Sequence, residues 1–580
     1  MRIAVGLKKK SVYAFWGICL PIFVAACTDP MELSFHEDGV FEEPHTGAVF
    51  DSLSVPPADS EGWTVVNASA DTLTWYVSSS EGDDANDGTT AVTAFATLDR
   101  AREALIDAGR SGYPDHILLK KGDVWRNKPH AWSLSGRSES EPMIISSYGS
   151  GPRPRFEGNA GFSFAGNRNV RHVWLIGVEF YCTTGDPASA DFDIDVSRSV
   201  GVGFTGGGGD ILVEDCKFSY QGGGAVIQRY ESDGMTDIKI RRCVFDHAYS
   251  TSSHTQGLYA YEVTGLLIEE CVFDHNGWLV QGDGHNTQAG GGATMFNHNT
   301  YINQCNQVRL KGNLFLRPSS IGNKFNSNGP NESIDTIVDD NFYYDGEIGI
   351  SIGGNTDDEY RFGNTVIKNN IFTNIGRSNM TTRNFSWGIE VKDNFNTRVV
   401  ANGIINQALY GNSYGIQLSG RTNNSVILEE NLFYNVNGSP LRMNVNPQFR
   451  DIVIRANRID NGGTDFSCVR NIYTFEHMTY EGNSYFSDAD EPFYSEDTGY
   501  TDIAGWTASS GETEATFAAF SYTDSSRTLE SYHISIGGSG VPEDYISEAS
   551  LLSKDNWDER YLAAAVNAYY REGFDIQTAE

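Results

Sequence analysis

Residues 284–331 contain no Asp or Glu, in a chain with 76 acids among 580 residues and a formal net charge of −34. The same window carries Arg309, Lys311, Arg317 and Lys324, with His285, His298 and Tyr301. A basic side chain can take a proton, a phenol can give one, and a guanidinium can hold a carboxylate. Together they suit proton abstraction beside a substrate carboxylate, where a cation must offset the charge that develops. Lys324 or His298 is expected to act as base, Tyr301 as acid, and Arg309 or Arg317 on the carboxylate. Acids are unevenly spread elsewhere too, since residues 394–428 also lack them.

These side chains need a frame, and the chain carries one as a repeat. Ile238, Ile240, Cys243 and Phe245 form one unit, and Leu266, Ile268, Cys271 and Phe273 the next. The third position runs Val178, Cys216, Cys243, Cys271, Asn313, Asn341, Asn370, Asn431, Asn457 and Asn483, with a weaker copy at Asn402. Many spacings are 26 to 29 residues. A fixed period of this size marks a stacked solenoid, and the alternation of apolar residues makes each unit β. Asn tolerates left-handed turns and can bond to its counterparts in neighbouring coils. Cys at that position is expected to be a free, buried filler.

Strand alternation sorts the cations. Lys311 falls in register between Glu269 and Asp339, the setting of a surface ion pair. Arg309 falls between Leu267 and Ile337, where its column offers no acid. Aligning IGNKF, IGISI, WGIEV, YGIQL and SPLRM places Lys324, Ser351, Glu390, Gln417 and Arg442 in one outward row. Ser351, Glu390, Gln417 and Arg442 of this row are expected to bind substrate, and Arg309, from the preceding strand, to meet a substrate carboxylate or sulfate. The largest irregularity, between Cys271 and Asn313, holds the polar insertion GDGHNTQAGGG. Insertions between solenoid coils build the walls of binding sites.

The repeat resembles the right-handed parallel β-helix superfamily of pectate lyase-like proteins. The segment Tyr76–Leu105 is similar to the start of secreted bacterial members, where a strand and an acidic loop lead into a capping helix. Here that helix would present Leu98, Ala101, Ala104, Leu105 and Ala108. The resemblance implies an all-β fold: a right-handed parallel β-helix solenoid over 73–490, with an N-terminal capping helix. A C-terminal cap over 491–580 would contain a helix near Trp557–Arg571, with Leu562, Ala565, Val566 and Tyr569 as apolar positions. DSSRTLESY and NAYYREGF within that cap resemble tails of bacterial β-helix proteins. Lyases of the alginate lyase and chondroitinase B type use Lys and Arg on the helix face, often with calcium on the carboxylate. Related proteins carry a basic residue two after Lys324, where this chain has Asn326. Calcium candidates are Asp83, Asp84, Asn86 and Asp87, and Asp357, Asp358 and Glu359.

Residues 1–27 read as a lipoprotein signal peptide. Arg2 and Lys8–Lys10 precede an apolar stretch, and Val24-Ala25-Ala26-Cys27 matches a lipobox with Cys27 lipidated. Thr28 rather than Asp follows, which points to the outer membrane of a bacterial envelope. Residues 28–72 are expected to be a flexible tether. Loss of residues 1–26 removes four cations and moves the formal charge from −34 to about −38, which excludes nucleic acid as a partner. A polysaccharide is the expected partner, met by a monomer.

Three functions compete. A lyase would cleave a uronic-acid-containing polysaccharide by β-elimination, and a C5-epimerase would begin with the same proton abstraction. A glycoside hydrolase would need two carboxylates, for which Glu390 and Asp393 are the best pair. A non-catalytic glycan-binding surface protein would use Trp278, Trp387, Tyr410 and Tyr414.

Overall fold

The computed structural model describes residues 53, 55–165, 168–229, 234–284, 289–327, 333–353, 362–408, 410, 412–444, 448–472 and 474–580. Cys27 and the signal peptide, most of the expected tether, His285, and Asp357, Asp358 and Glu359 lie outside these residues. Successive repeat units feed three sheets in turn. Sheet 1 has 14 strands, from Thr74–Val77 to Met478–Glu481. Sheet 2 also has 14, from Val124–Trp125 to Thr516–Phe517. Sheet 3 has 13, from Phe162–Phe164 to Thr498–Tyr500. Pairing is parallel except for the closing hairpin of Phe493–Ser495 with Thr498–Tyr500. The fold is a right-handed parallel β-helix, the stacked β solenoid that the repeat predicted and the handed form that the resemblance implied.

The third repeat position forms one continuous hydrogen-bonded column. The Cys216 and Cys243 backbone amides point at the sulfur of the next cysteine, each at 3.4 Å. Cys271 N donates to Asn313 Oδ1 at 2.9 Å, where the asparagine ladder begins. Each Asn side chain then donates to the next, through Asn341, Asn370, Asn402, Asn431, Asn457 and Asn483. Asn402 is a full member. The cysteines are buried and free. Beside this column, Phe156, Phe180, Phe218, Phe245, Phe273, Phe315, Tyr343 and Phe372 stack with centroids 4.4 to 5.4 Å apart.

The ladder needs a terminator, because its last amide would otherwise be a buried orphan. Glu512 supplies it. Its Oε1 accepts from Asn483 Nδ2 at 2.7 Å and its Oε2 from the Trp506 indole at 2.6 Å. Glu512→Ala strands both donors and is expected to cost about 1–3 kcal/mol. Glu512→Gln, which keeps one acceptor oxygen, is expected to cost less. Denaturant midpoints of the two variants check this, and equal loss would refute the terminator role.

Both ends of the core are closed by helices. Helix α1 (Leu98–Asp107) is capped by Thr97, which accepts from Arg100 N, and buries Leu98, Ala101 and Leu105 on the first coils. Helix α2 (Ile503–Ser510) inserts Trp506 against Phe475, Tyr480 and Phe493 at the last.

Two expectations are corrected. The tether does not run free to residue 72. Residues 55–72 dock on sheet 1, with Trp63 buried under Arg242 and edge-on to Trp557 at 5.0 Å. Thr64 Oγ1 donates to Glu214 Oε2 at 2.5 Å. The C-terminal region is also more than an end cap. Helices α3 (Leu529–Ser535), α4 (Pro542–Ala549) and α5 (Ala563–Phe574) lie along the outer face of sheet 2. There Tyr545, Ile546, Val566, Tyr570 and Phe574 join one apolar cluster with Val272, Leu314, Phe342, Ile371 and Leu432. The tail reaches back to Asp215, which accepts from Lys554 N at 2.9 Å. The buried stripe of α5 is Ala563, Val566, Tyr570 and Phe574, so Ala565 and Tyr569 only flank it. The two tail motifs pack on each other through Asp524 N and Gly573 O at 2.8 Å. Apolar burial explains both corrections, since each segment covers outward residues of a sheet that water would otherwise wet.

Candidate functional site

The outer face of sheet 2 lies under the tail, whereas sheet 3 presents a polar row. Strand Ile321–Asn326 pairs with Ile348–Ile352, then Phe385–Lys392, Asn412–Ser419 and Ser439–Met443. The register puts Lys324, Ser351, Glu390, Gln417 and Arg442 side by side, the row expected from alternation. It extends backwards through Tyr301 and Tyr259 and onwards to Arg470. Glycines 322, 349 and 388 make the row possible. A Cβ on any of them would collide with the next coil, at 2.6 to 2.7 Å from a backbone carbonyl.

The row is one hydrogen-bonded chain. Lys324 Nζ donates to Ser351 Oγ at 3.1 Å and to Gly353 O at 3.4 Å. Ser351 Oγ donates to Glu390 Oε2 at 2.8 Å. Glu390 Oε1 accepts from Ser419 Oγ at 3.0 Å and from Gln417 Nε2 at 3.3 Å. Gln417 Oε1 accepts from Arg442 Nη1 at 2.7 Å. Lys324 and Glu390, two coils apart, are thus coupled through Ser351. Burial pushes the Lys324 ammonium down to about 8, against the opposing pull of Glu390. A lysine held there is a competent base near neutral pH.

His298 and Tyr301 stand on the same face, with rings edge-on at 5.7 Å. Tyr301 OH accepts from Asn326 Nδ2 at 2.9 Å. An acceptor role toward Asn326 leaves the phenol's own proton to be given elsewhere. His298 is buried, and burial holds it well below the usual imidazole range, helped by Lys324 and Arg383. Its Nδ1 makes no hydrogen bond. Beyond Tyr301 a cavity of about 240 Å³ opens, lined by Gly222, Val226, His254, Gln256, Tyr259 and Tyr301.

Two long connections from sheet 2 to sheet 3 wall this face. One is the insertion after Asp274, where Val280–Gly284 pairs with Gly292–Thr294. The other spans Asn374–Asn384. They meet three coils apart, with Gly282 N donating to Met380 O at 2.9 Å and Gln281 Nε2 to Asn379 O at 3.3 Å. A buried ion pair anchors the second loop. The Glu347 carboxylate has no exposure and takes Arg383, while Thr381 N donates to it at 3.0 Å. Arg383 Nη2 also donates to Ser320 Oγ at 2.6 Å. Sequence reading predicted a wall at the insertion but missed its partner loop and this anchor.

Two expected site residues lie elsewhere. Arg317 sits in a turn after sheet 2, with both its Nε and Nη2 on the Asp274 carboxylate at 2.8 and 2.5 Å. That pairing pushes the guanidinium up and leaves it no role at the groove. Arg309 does fall between Leu267 and Ile337, but on sheet 1. Both readings as carboxylate binders are corrected, because sequence windows do not tell one sheet of a coil from another. Lys311 pairs with Glu269 at 3.7 Å, the surface ion pair expected. Trp278 also leaves the groove, stacked on His275 with its indole on Arg317 O.

The acidic loop near α1 is internally satisfied. Asp84 accepts from Ala96 N and Thr97 N, and Asp87 from Thr89 and Thr93. No group of three or more His, Cys, Asp or Glu able to hold a metal occurs among the described residues. Asp393, the hydrolase partner expected for Glu390, is buried and accepts from Arg421 N and Thr422 N. Among the described residues no helix is long and apolar enough to cross a membrane.

No protein-family model matches this chain, and no curated protein matches it. It is similar to several solved structures. The A-module of the mannuronan C-5 epimerase AlgE4 from Azotobacter vinelandii is 13% identical, over 66% of this chain and 94% of that one, with a TM-score of 0.43. A complex of XylC with xylose is 9% identical over 73% and 86%, with a TM-score of 0.41. The GH136 lacto-N-biosidase from Eubacterium ramulus is 14% identical over 77% and 68%, with a TM-score of 0.38. With TM-scores below 0.5, none of these likenesses carries an activity to this chain.

Proposed function

We propose that this chain is a polysaccharide-active enzyme that cleaves a uronic-acid-containing polymer by β-elimination. The observation that carries it is the Lys324 amine, buried in the sheet 3 groove, held down to about 8 and one coil from the Tyr301 phenol. In this reading neutral Lys324 takes the proton α to the uronate carboxylate. The released electron pair forms the new carbon–carbon double bond as the bond to the leaving sugar oxygen breaks. Tyr301 gives that oxygen its proton, and Asn326 holds the phenol for the transfer.

The cation on the substrate carboxylate is Lys392 rather than either arginine first expected. Lys392 follows Glu390 by two on the same strand and depresses Lys324 by its charge. Its amine has no hydrogen bond or ion pair among the described residues. The hydrolase alternative is weaker, since Asp393 is held by backbone amides and leaves Glu390 without a second carboxylate. Anchoring through Cys27 in the outer membrane belongs to the same proposal, whereas calcium has no step in it, because Asp84 and Asp87 of the candidate loop are already taken by Ala96, Thr97, Thr89 and Thr93.

The test is ultraviolet absorbance of the new double bond as the protein meets a panel of alginate, pectate, chondroitin and ulvan. A rise on one polymer supports the lyase. New reducing ends without a rise would favour a hydrolase, and epimerised product without cleavage would favour the epimerase. Tyr301→Phe keeps the ring but loses the proton donor, and a roughly 10²-fold fall in kcat with little change in KM is expected. A Tyr301→Phe enzyme as fast as the parent would remove Tyr301 from the acid role.

A further inference from the structure

We infer that Arg442 and Arg470, with Tyr414 and Tyr494, form a second anion subsite on sheet 3, which takes a further carboxylate or sulfate of an extended polyanionic polysaccharide. This rests on the reading of sheet 3 as the substrate face. Arg442 and Arg470 are direct register partners on adjacent coils, and Arg470 is in turn paired with Tyr494. Each guanidinium lies over a ring, Arg442 at 4.3 Å from Tyr414 and Arg470 at 5.1 Å from Tyr494. Stacking fixes the planar fork and leaves its edge to bind an oxyanion in two places.

What sets the pair apart is that two arginines without a carboxylate partner stand in register on adjacent strands. Other arginines on the sheets are matched, as Arg398 and Arg455 are by Glu429, and Arg241 by Glu214 and Glu269. Arg442 has only the neutral Gln417 oxygen, and its buried Nε makes no hydrogen bond. Arg470 is exposed and has no hydrogen bond or ion pair among the described residues. Like charges in register on neighbouring strands repel. An anion bridging the two guanidinium groups relieves that repulsion.

The position defines the ligand's length. Strands are about 4.8 Å apart, so Arg442 lies about 19 Å and Arg470 about 24 Å along the sheet from Lys324. Several sugar rings of an extended chain are needed to span that gap. A short oligosaccharide at Lys324 would not reach. The subsite therefore makes the enzyme prefer long chains with charged groups at a distance from the scissile bond. Carboxylates of a uronan and sulfate esters of a sulfated galactan share the needed oxyanion chemistry.

The experiment measures binding of the full chain in a Lys324→Ala background, which blocks turnover. Polygalacturonate, a carrageenan and neutral laminarin are the probes, followed by affinity electrophoresis and calorimetry. Arg442→Ala with Arg470→Ala is expected to weaken one polyanion at least tenfold and to flatten its salt dependence, with laminarin unaffected. The polyanion that responds names the source as carboxylate or sulfate. Arg470→Ala alone, at an exposed position that does not threaten folding, is expected to give a several-fold loss. Unchanged affinity in the single and double variants, or no polyanion binding by the Lys324→Ala protein, would overturn the subsite. Its failure is separable from that of the lyase reading. If the Arg variants lose affinity but the parent forms no double bond, the subsite stands and the elimination falls. If the parent eliminates and the Arg variants match it on long polymer, only the subsite falls.

Discussion

Lys324→Ala is expected to lower kcat/KM on the responsive polymer by about 10²–10⁴-fold, the contribution of a positioned general base. The reason is local. Lys324 is nine-tenths buried between coils, and its ammonium is held only by Ser351 Oγ and Gly353 O. Glu390 pulls toward the charged form by its charge, while its own hydrogen bond goes to Ser351 and not to the ammonium. With the group at about 8, roughly one molecule in ten carries a free amine at pH 7. The base must be neutral to act, so the rate should rise with pH through about 8 and then level. Lys324→Arg should stay inactive at every pH, because a guanidinium does not lose its proton. Glu390→Gln removes the one charge that raises Lys324, so the rising limb should move to lower pH. Activity in Lys324→Ala within a few-fold of the parent, or a flat pH profile between 7 and 9, would remove Lys324 from the base role.

Glu347→Ala is expected to be the most destabilising single change near the groove, at about 3–5 kcal/mol. Glu347 has no exposure, and Arg383, Thr381 and Ser320 are organised around it. Deleting the carboxylate leaves a cation only 17% exposed without a counter-charge. Glu347→Met with Arg383→Met removes both charges and should recover most of the loss. The damage should be local, because each coil of a solenoid touches mainly its neighbours. Hydrogen exchange is therefore the measurement, with faster exchange expected across residues 374–384 and in the facing strand Val280–Gly284. Slow exchange there in Glu347→Ala would show that the loop is held by something other than this pair.

Much of the groove was legible because a solenoid converts sequence spacing directly into spatial register. Aligning five short strings placed Lys324, Ser351, Glu390, Gln417 and Arg442 side by side, and the register is the one found. The same arithmetic put Lys311 beside Glu269. The acid-free window misled for Arg309 and Arg317, which share it with Lys324 but leave the coil from different sheets. Charge composition along the chain averages over all three faces of each turn. Asn326 was read as a missing basic residue. Only the fold shows its amide on the Tyr301 phenol.

The sequence by itself determined the repeat, the Cys and Asn column and the outward row that the fold places on sheet 3. All of these depend on period and alternation, which act between adjacent coils. Tertiary structure alone decided which face stays open. The tail helices cover sheet 2 through Tyr545, Val566, Tyr570 and Phe574, and Trp63 docks on sheet 1. It also decided that Glu347 and Arg383 tie two distant loops into one wall. Such contacts join segments with no shared period, so their energy comes from burial and charge pairing over long separations that no local pattern encodes.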